Sequence, residues 1–158
     1  MEVDCFMDFS DFLKQIVKNV KEEITGAGVS SMDGLCIYCA HNIGCDLMEF
    51  GIDFDRVDTV DYLINYSHQF LIVYGLDGKC YLVDPTYSQF LKRNETLVCF
   101  EKWPSEILEK SDNGKRLLNN LLVDGCSEVL ESDVDLYLNS FSPNDCFDYS
   151  FRMVDFKK

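Results

Sequence analysis

The sequence predicts an α+β domain on three observations. Apolar residues recur at three- and four-residue steps near the N-terminus, an apolar strand–turn–strand occupies the middle, and helical periodicity returns after it. At 158 residues the chain suits one domain. Its expected divisions are an N-terminal helix (1–28), a core (29–92) and a mainly helical C-terminal part (93–158).

The elements follow in order. Residues 6–24 read as a helix, because Phe6, Phe9, Phe12, Leu13, Ile16, Val17, Val20 and Ile24 form one stripe with Lys and Glu between them. Gly26-Ala27-Gly28 supplies a stop. Ser30-Ser31-Met32-Asp33-Gly34 is expected to be a loop. A second helix is expected from about Leu35 to Phe50, ending at Gly51. Its small residues Cys36, Cys39, Ala40, Gly44 and Cys45 suit deep burial against close neighbours. Residues 53–65 are ambiguous, since Val57, Val60, Leu63 and Ile64 fit a short helix or an irregular strand.

The clearest feature is a hairpin. Residues 70–74 are an apolar strand, Gly75-Leu76-Asp77-Gly78 is a turn, and 79–84 is the return strand, ended by Pro85. Two registers are open. A two-residue Asp77-Gly78 turn would set Val83 opposite Ile72 and point Asp84 away from His68. A type I turn with Gly78 as the left-handed bulge residue would set Asp84 opposite Phe70, on the face of His68 and diagonal to it. Glycine at the fourth turn position supports the second register. Beyond the hairpin, helices are expected at roughly 104–110, 114–124 and 132–141.

Composition narrows the function classes. A formal net charge of −14 argues against a surface that tracks phosphates or docks on anionic lipid. It permits a basic protein partner or a neutral side chain in a pocket. No stretch approaches the roughly 20 apolar residues of a membrane span. The start, Met1-Glu2-Val3-Asp4-Cys5, lacks the basic and apolar regions of a secretory signal, so synthesis in a cytoplasm without general secretion is the expectation. The eight cysteines are expected to be mostly small buried thiols rather than a disulfide framework.

Two histidines, His41 and His68, make the search for a general base short. A cysteine with a histidine from elsewhere in the chain is the pattern of a thiol nucleophile. Cys36 falls in the first turn of the second helix, where the helix dipole lowers a thiol pKa. His68 opens the first hairpin strand and Asp84 closes the second; in the favoured register Asp84 would fix the imidazole tautomer and stabilise the imidazolium. The bland alternatives are a buried cysteine, a strand-end histidine and a turn aspartate. A rival set, Cys36-x-x-Cys39-Ala40-His41, could bind zinc or exchange disulfides. It lacks a second ligand pair and a preceding strand, and His41 lies about 500° round the helix from Cys36 at roughly 100° per residue. No metal and no cofactor are expected.

The segment Gly34-Leu35-Cys36-Ile37-Tyr38-Cys39-Ala40, then Leu47, Gly51 and Ile52, resembles the G-x-C-x-x-x-A and L-x-x-x-G-[IV] pattern of the nucleophile helix in transglutaminase-like (papain-like) cysteine enzymes. His68 at one strand start and Leu82-Val83-Asp84-Pro85-Thr86 at the next strand end match the same superfamily in order. More narrowly, Asp84-Pro85-Thr86-Tyr87-Ser88-Gln89-Phe90 resembles the D-P-T-[FY]-x-Q-F signature of the Pasteurella multocida toxin C-terminal catalytic domain and related bacterial toxin and effector deamidases. Leu122-Val123-Asp124-Gly125 and Asp135-Leu136-Tyr137-x-x-Ser140-Phe141 are similar to that group less specifically. The likeness spans about residues 30–141; residues 53–67 match nothing in it, and no targeting domain is expected within these residues.

The resemblance implies a papain-like fold with the nucleophile helix packed on a small antiparallel sheet. It implies a catalytic domain in which Cys36, His68 and Asp84 form the triad and Gln89 helps hold the oxyanion. It implies protein-glutamine deamidation through a thioester, on a protein substrate with an exposed glutamine such as a host signalling protein. Delivery into a host cell by a specialised secretion system, as a virulence effector or toxin, goes with it. A transglutaminase or a cysteine peptidase would use the same triad, and a catalytically idle binding protein would keep the fold.

Overall fold

A computed structural model describes residues 7–28, 35–59, 68–91 and 102–141. Within these the chain is α+β, with five α-helices and a four-stranded antiparallel sheet. The expected loop at 30–34 and the second half of the ambiguous stretch lie outside the described residues.

Helix α1 runs Phe9–Gly26. It starts later than the apolar stripe suggests because Asp8 takes the cap, accepting from the Ser10 N–H at 3.3 Å. Helix α2 runs Cys36–Glu49. The ambiguous segment resolves as strand β1, Asp53–Asp58, paired antiparallel with β2, Gln69–Tyr74. Its composition is charged because β1 lies at one edge of the sheet, where acidic residues and Arg56 discourage further pairing.

Strand β3, Cys80–Val83, returns beside β2 with Leu71 opposite Val83. This is the wider-turn register. Gly78 has φ +79°, its N–H donates to the Gly75 carbonyl at 3.1 Å, and the Gly75 N–H donates to Lys79 at 2.8 Å. A 3₁₀ turn, Tyr87–Phe90, follows. The C-terminal part holds α3 (Pro104–Leu108), α4 (Asp112–Asp124) and α5 (Glu131–Asn139).

Among its described residues the C-terminal part carries one strand that the sequence reading did not single out: Cys126–Val129 forms β4, the far edge of the sheet, paired with β3. Gly125 ends α4 in the left-handed conformation at φ +70° and turns the chain into that strand. Four residues are too few to show alternation, so only the pairing with β3 reveals the strand.

The sheet is covered on both faces, which explains why β2 reads as a continuous apolar run. Leu71, Val73, Tyr81 and Val83 pack with α1 and α2. Phe70, Ile72, Tyr74 and Leu82 pack with α3, α4, α5 and the 3₁₀ turn. The first layer is largely aliphatic; the second carries Tyr87, Phe90, Tyr137 and Phe141. His68 and Asp84 extend the even-numbered positions of β2 and β3, so they enter the aromatic layer.

Candidate active site

Cys36 is the first residue of α2 and is half-buried. Leu35 before it offers no side-chain cap, and the first turn holds no acidic residue. The positive end of the helix therefore acts on the thiol without local competition.

His68 precedes β2 and is only 1% exposed. Its N–H donates to Thr59 Oγ1 and its carbonyl accepts from the Thr59 N–H, both at 2.9 Å. The end of β1 thus pins the histidine backbone. The ring meets Phe90 edge-on at 4.6 Å between centroids and Phe141 at 5.7 Å. Nε2 lies 2.7 Å from Asp84 Oδ2.

Asp84 is fully buried directly after β3. Its N–H donates to the Gly125 carbonyl at 2.9 Å. A side chain at 125 would be excluded twice, by the positive φ and by Val17 Cγ1 standing 2.8 Å from the Cβ position. The carboxylate accepts from His68 Nε2 and the Tyr137 hydroxyl on Oδ2, and from Thr86 Oγ1 on Oδ1 at 3.1 Å. Thr86 Oγ1 in turn accepts from Gln89 Nε2 at 3.0 Å. The 3₁₀ turn past Pro85 brings Gln89 back to this chain of bonds.

The electrostatics follow from the geometry. Burial pushes the Cys36 thiol up, but the His68 side chain, the Gln69 backbone N–H and the imidazolium charge outweigh it, so its pKa is lowered. Burial pulls His68 down, while the Asp84 charge and hydrogen bond raise it more and Cys36 adds to them, leaving it pushed up to about 9. Each group thus favours the charged form of the other, a lowered thiol beside a raised imidazole. Nε2 is taken by Asp84, and Nδ1 has no hydrogen-bond partner of standard geometry among the described residues. We read Nδ1 as the nitrogen turned to Cys36, in a contact looser than a formed hydrogen bond, of the kind that tightens when substrate binds.

Burial pushes Cys39 and Cys126 up to about 12, which leaves them poor nucleophiles. His41 stands 3.7 Å from Cys45 and is not joined to Cys36 or Cys39 by any described bond. Among the described residues no group of three or more His, Cys, Asp and Glu could hold a metal ion.

Of the four sequence-predicted residues, Cys36, His68 and Asp84 come together directly, and Gln89 joins through Thr86. Sequence reasoning assigned no role to Thr59, Thr86, Gly125 or Tyr137. The D-P-T and D-L-Y-x-x-S-F segments contain two of them, but Tyr137 lies 53 positions from its partner Asp84. At the mouth, Arg56 donates to Gln69 Oε1 at 2.8 Å and to the Ile37 carbonyl at 3.3 Å. That bridge ties β1 and the start of β2 to the first turn of α2. Beside Cys36, Ile37 and Tyr38 are exposed. Compared with family models, curated proteins and solved structures, the chain matches none of them.

Proposed function

We propose that this chain is a cysteine-dependent hydrolase that converts glutamine to glutamate on a partner protein. The observation that carries the reading is a half-buried thiol at a helix N-terminus beside a buried imidazole held by Asp84. That arrangement supports acyl transfer. The choice of a side-chain amide rests on the likeness of 84–90 to the deamidase signature. The papain-like plan is part of the same proposal: α2 against an antiparallel sheet, with Cys, His and Asp in that chain order, fits it.

In this reading the Cys36 thiolate attacks the carboxamide carbon of glutamine. His68 gives its Nδ1 proton to the leaving ammonia as the tetrahedral intermediate collapses to a thioester. Neutral His68 then takes a proton from water, and the resulting hydroxide attacks the thioester. Glutamate leaves, and the thiolate–imidazolium pair is restored. One Gln89 amide hydrogen is spent on Thr86; the second, with a backbone N–H near Cys36, is the donor assigned to the oxyanion. The exposed Ile37 and Tyr38 offer an apolar rim for the substrate stem.

Intact-mass measurement and peptide mapping of candidate proteins after incubation with the chain test this. The expected product is an uncleaved protein with one glutamine converted to glutamate, and ammonia released. A cut polypeptide would assign the site to peptide hydrolysis, and a lysine or polyamine cross-link to transglutamination. An inert Cys36 with no modified protein would leave a binding role.

A further inference from the structure

Asp84 Oδ2 receives two donors, one from His68 and one from the Tyr137 hydroxyl. Tyr137 belongs to α5 and is fully buried, with its ring edge-on to Phe70 at 4.9 Å and to Phe141 at 5.3 Å. Packing alone would be served by phenylalanine. A buried hydroxyl aimed at the triad carboxylate does something phenylalanine cannot. Burial and the Asp84 charge hold the phenol well above its ordinary pKa, so it remains a neutral donor. The other titratable groups around the His68–Asp84 pair are Cys36 from α2 and Tyr87 from the 3₁₀ turn; burial, then Asp84, keeps Tyr87 neutral too.

We propose that Tyr137 is a positioning residue of this site, whose hydroxyl shares Asp84 Oδ2 with His68 and so limits how tightly the carboxylate holds the imidazolium proton. A carboxylate that accepts a second hydrogen bond on the same oxygen carries less negative charge toward the ring. The consequence is kinetic balance. Thioester formation needs His68 as an acid, and thioester hydrolysis needs it neutral as a base. Without Tyr137 the imidazolium persists, and hydrolysis slows more than acylation. Thr86 binds the opposite oxygen and cannot substitute for it.

The consequence for turnover rests on the acyl-transfer reading; the effect on His68 does not. The test is an NMR titration of the His68 ring in the full chain carrying Cys36→Ala, which removes the coupled thiol. His41→Gln assigns the two histidine signals. Tyr137→Phe should raise the His68 midpoint by about one pH unit, the size expected for one hydrogen bond to a charged group. Replacing Tyr137 with 3-fluorotyrosine keeps the volume, strengthens the donor and should lower the midpoint. Should Tyr137→Phe not fold, the fluorotyrosine chain decides alone. A midpoint that stays put with fluorotyrosine, or falls in Tyr137→Phe, overturns the proposal. With Cys36 intact, Tyr137→Phe should accumulate thioester. Failure to deamidate any protein would count against the proposed reaction alone, because the titration uses no substrate.

Discussion

Helix α2 meets two imidazoles, and only one of the two encounters has the makings of a site. At its N-terminus Cys36 faces His68, which is buried, ringed by aromatics and backed by Asp84. Farther along, Cys45 lies 3.7 Å from His41 Nε2, both exposed and one helical turn apart. The second pair has the same two functional groups and no third. Water screens it, no described carboxylate orients the ring, and no helix terminus acts on the thiol. Proximity of thiol and imidazole is thus the lesser part of the chemistry. A dry environment and a fixed carboxylate supply the rest.

The largest test of that contrast is removal of each thiol. Cys36→Ala should abolish the proposed deamidation while circular dichroism stays unchanged, and Cys45→Ala should leave that turnover at the wild-type level. Equal losses would mean that the exposed pair contributes. Next in size is Asp84→Asn, which offers no charge to the imidazolium and can hold the wrong tautomer. Turnover should fall by about 10⁴ with the fold retained, as in a serine triad. Near-normal rates in that variant would remove the carboxylate from the argument.

Gln89→Ala should cost about 10²–10³ in kcat with little change in KM, the effect of losing one oxyanion donor. Alkylation of Cys36 by a small reagent should remain fast, since it builds no oxyanion. Thr86→Val separates the two roles open to Gln89. If it reproduces the Gln89→Ala loss and slows alkylation too, Gln89 acts through Thr86 and Asp84 instead. The smallest expected effect lies in the wild-type chain itself. Limited alkylation at neutral pH with peptide mapping should label Cys36 first, because its lowered pKa leaves more of that thiol as thiolate. Prior labelling of Cys45, Cys39 or Cys126 would contradict the lowered Cys36 pKa.

What could be read from sequence depended on how local the cause was. The hairpin register was legible because one residue, Gly78, selects the turn that brings Asp84 to the face of His68. Cys36 was legible because a helix start is a local event. Strand β1 was not, because its charged residues suit an edge and only pairing with β2 makes it a strand. Strand β4 was hidden for the same reason. Gln89 was found through the segment likeness, yet its bond to Thr86 required the 3₁₀ turn to be seen. Tyr137 fell in the D-L-Y-x-x-S-F segment without a role, and nothing within α5 signals that its hydroxyl meets Asp84.

The site draws Cys36 from the layer on one face of the sheet and His68, Asp84 and Tyr137 from the other. During synthesis the chain emerges N-terminus first. Cys36 is therefore exposed to the cell long before its partners, but as an ordinary thiol with no imidazolium beside it. The tyrosine that completes the carboxylate's bonding arrives among the last described residues, on α5. A ribosome-bound or half-folded chain, with His68 and Asp84 not yet packed beside α2, would thus carry the nucleophile without its activation. Reactivity at this cysteine is a property of the finished fold, and the unfinished chain carries it as an ordinary thiol.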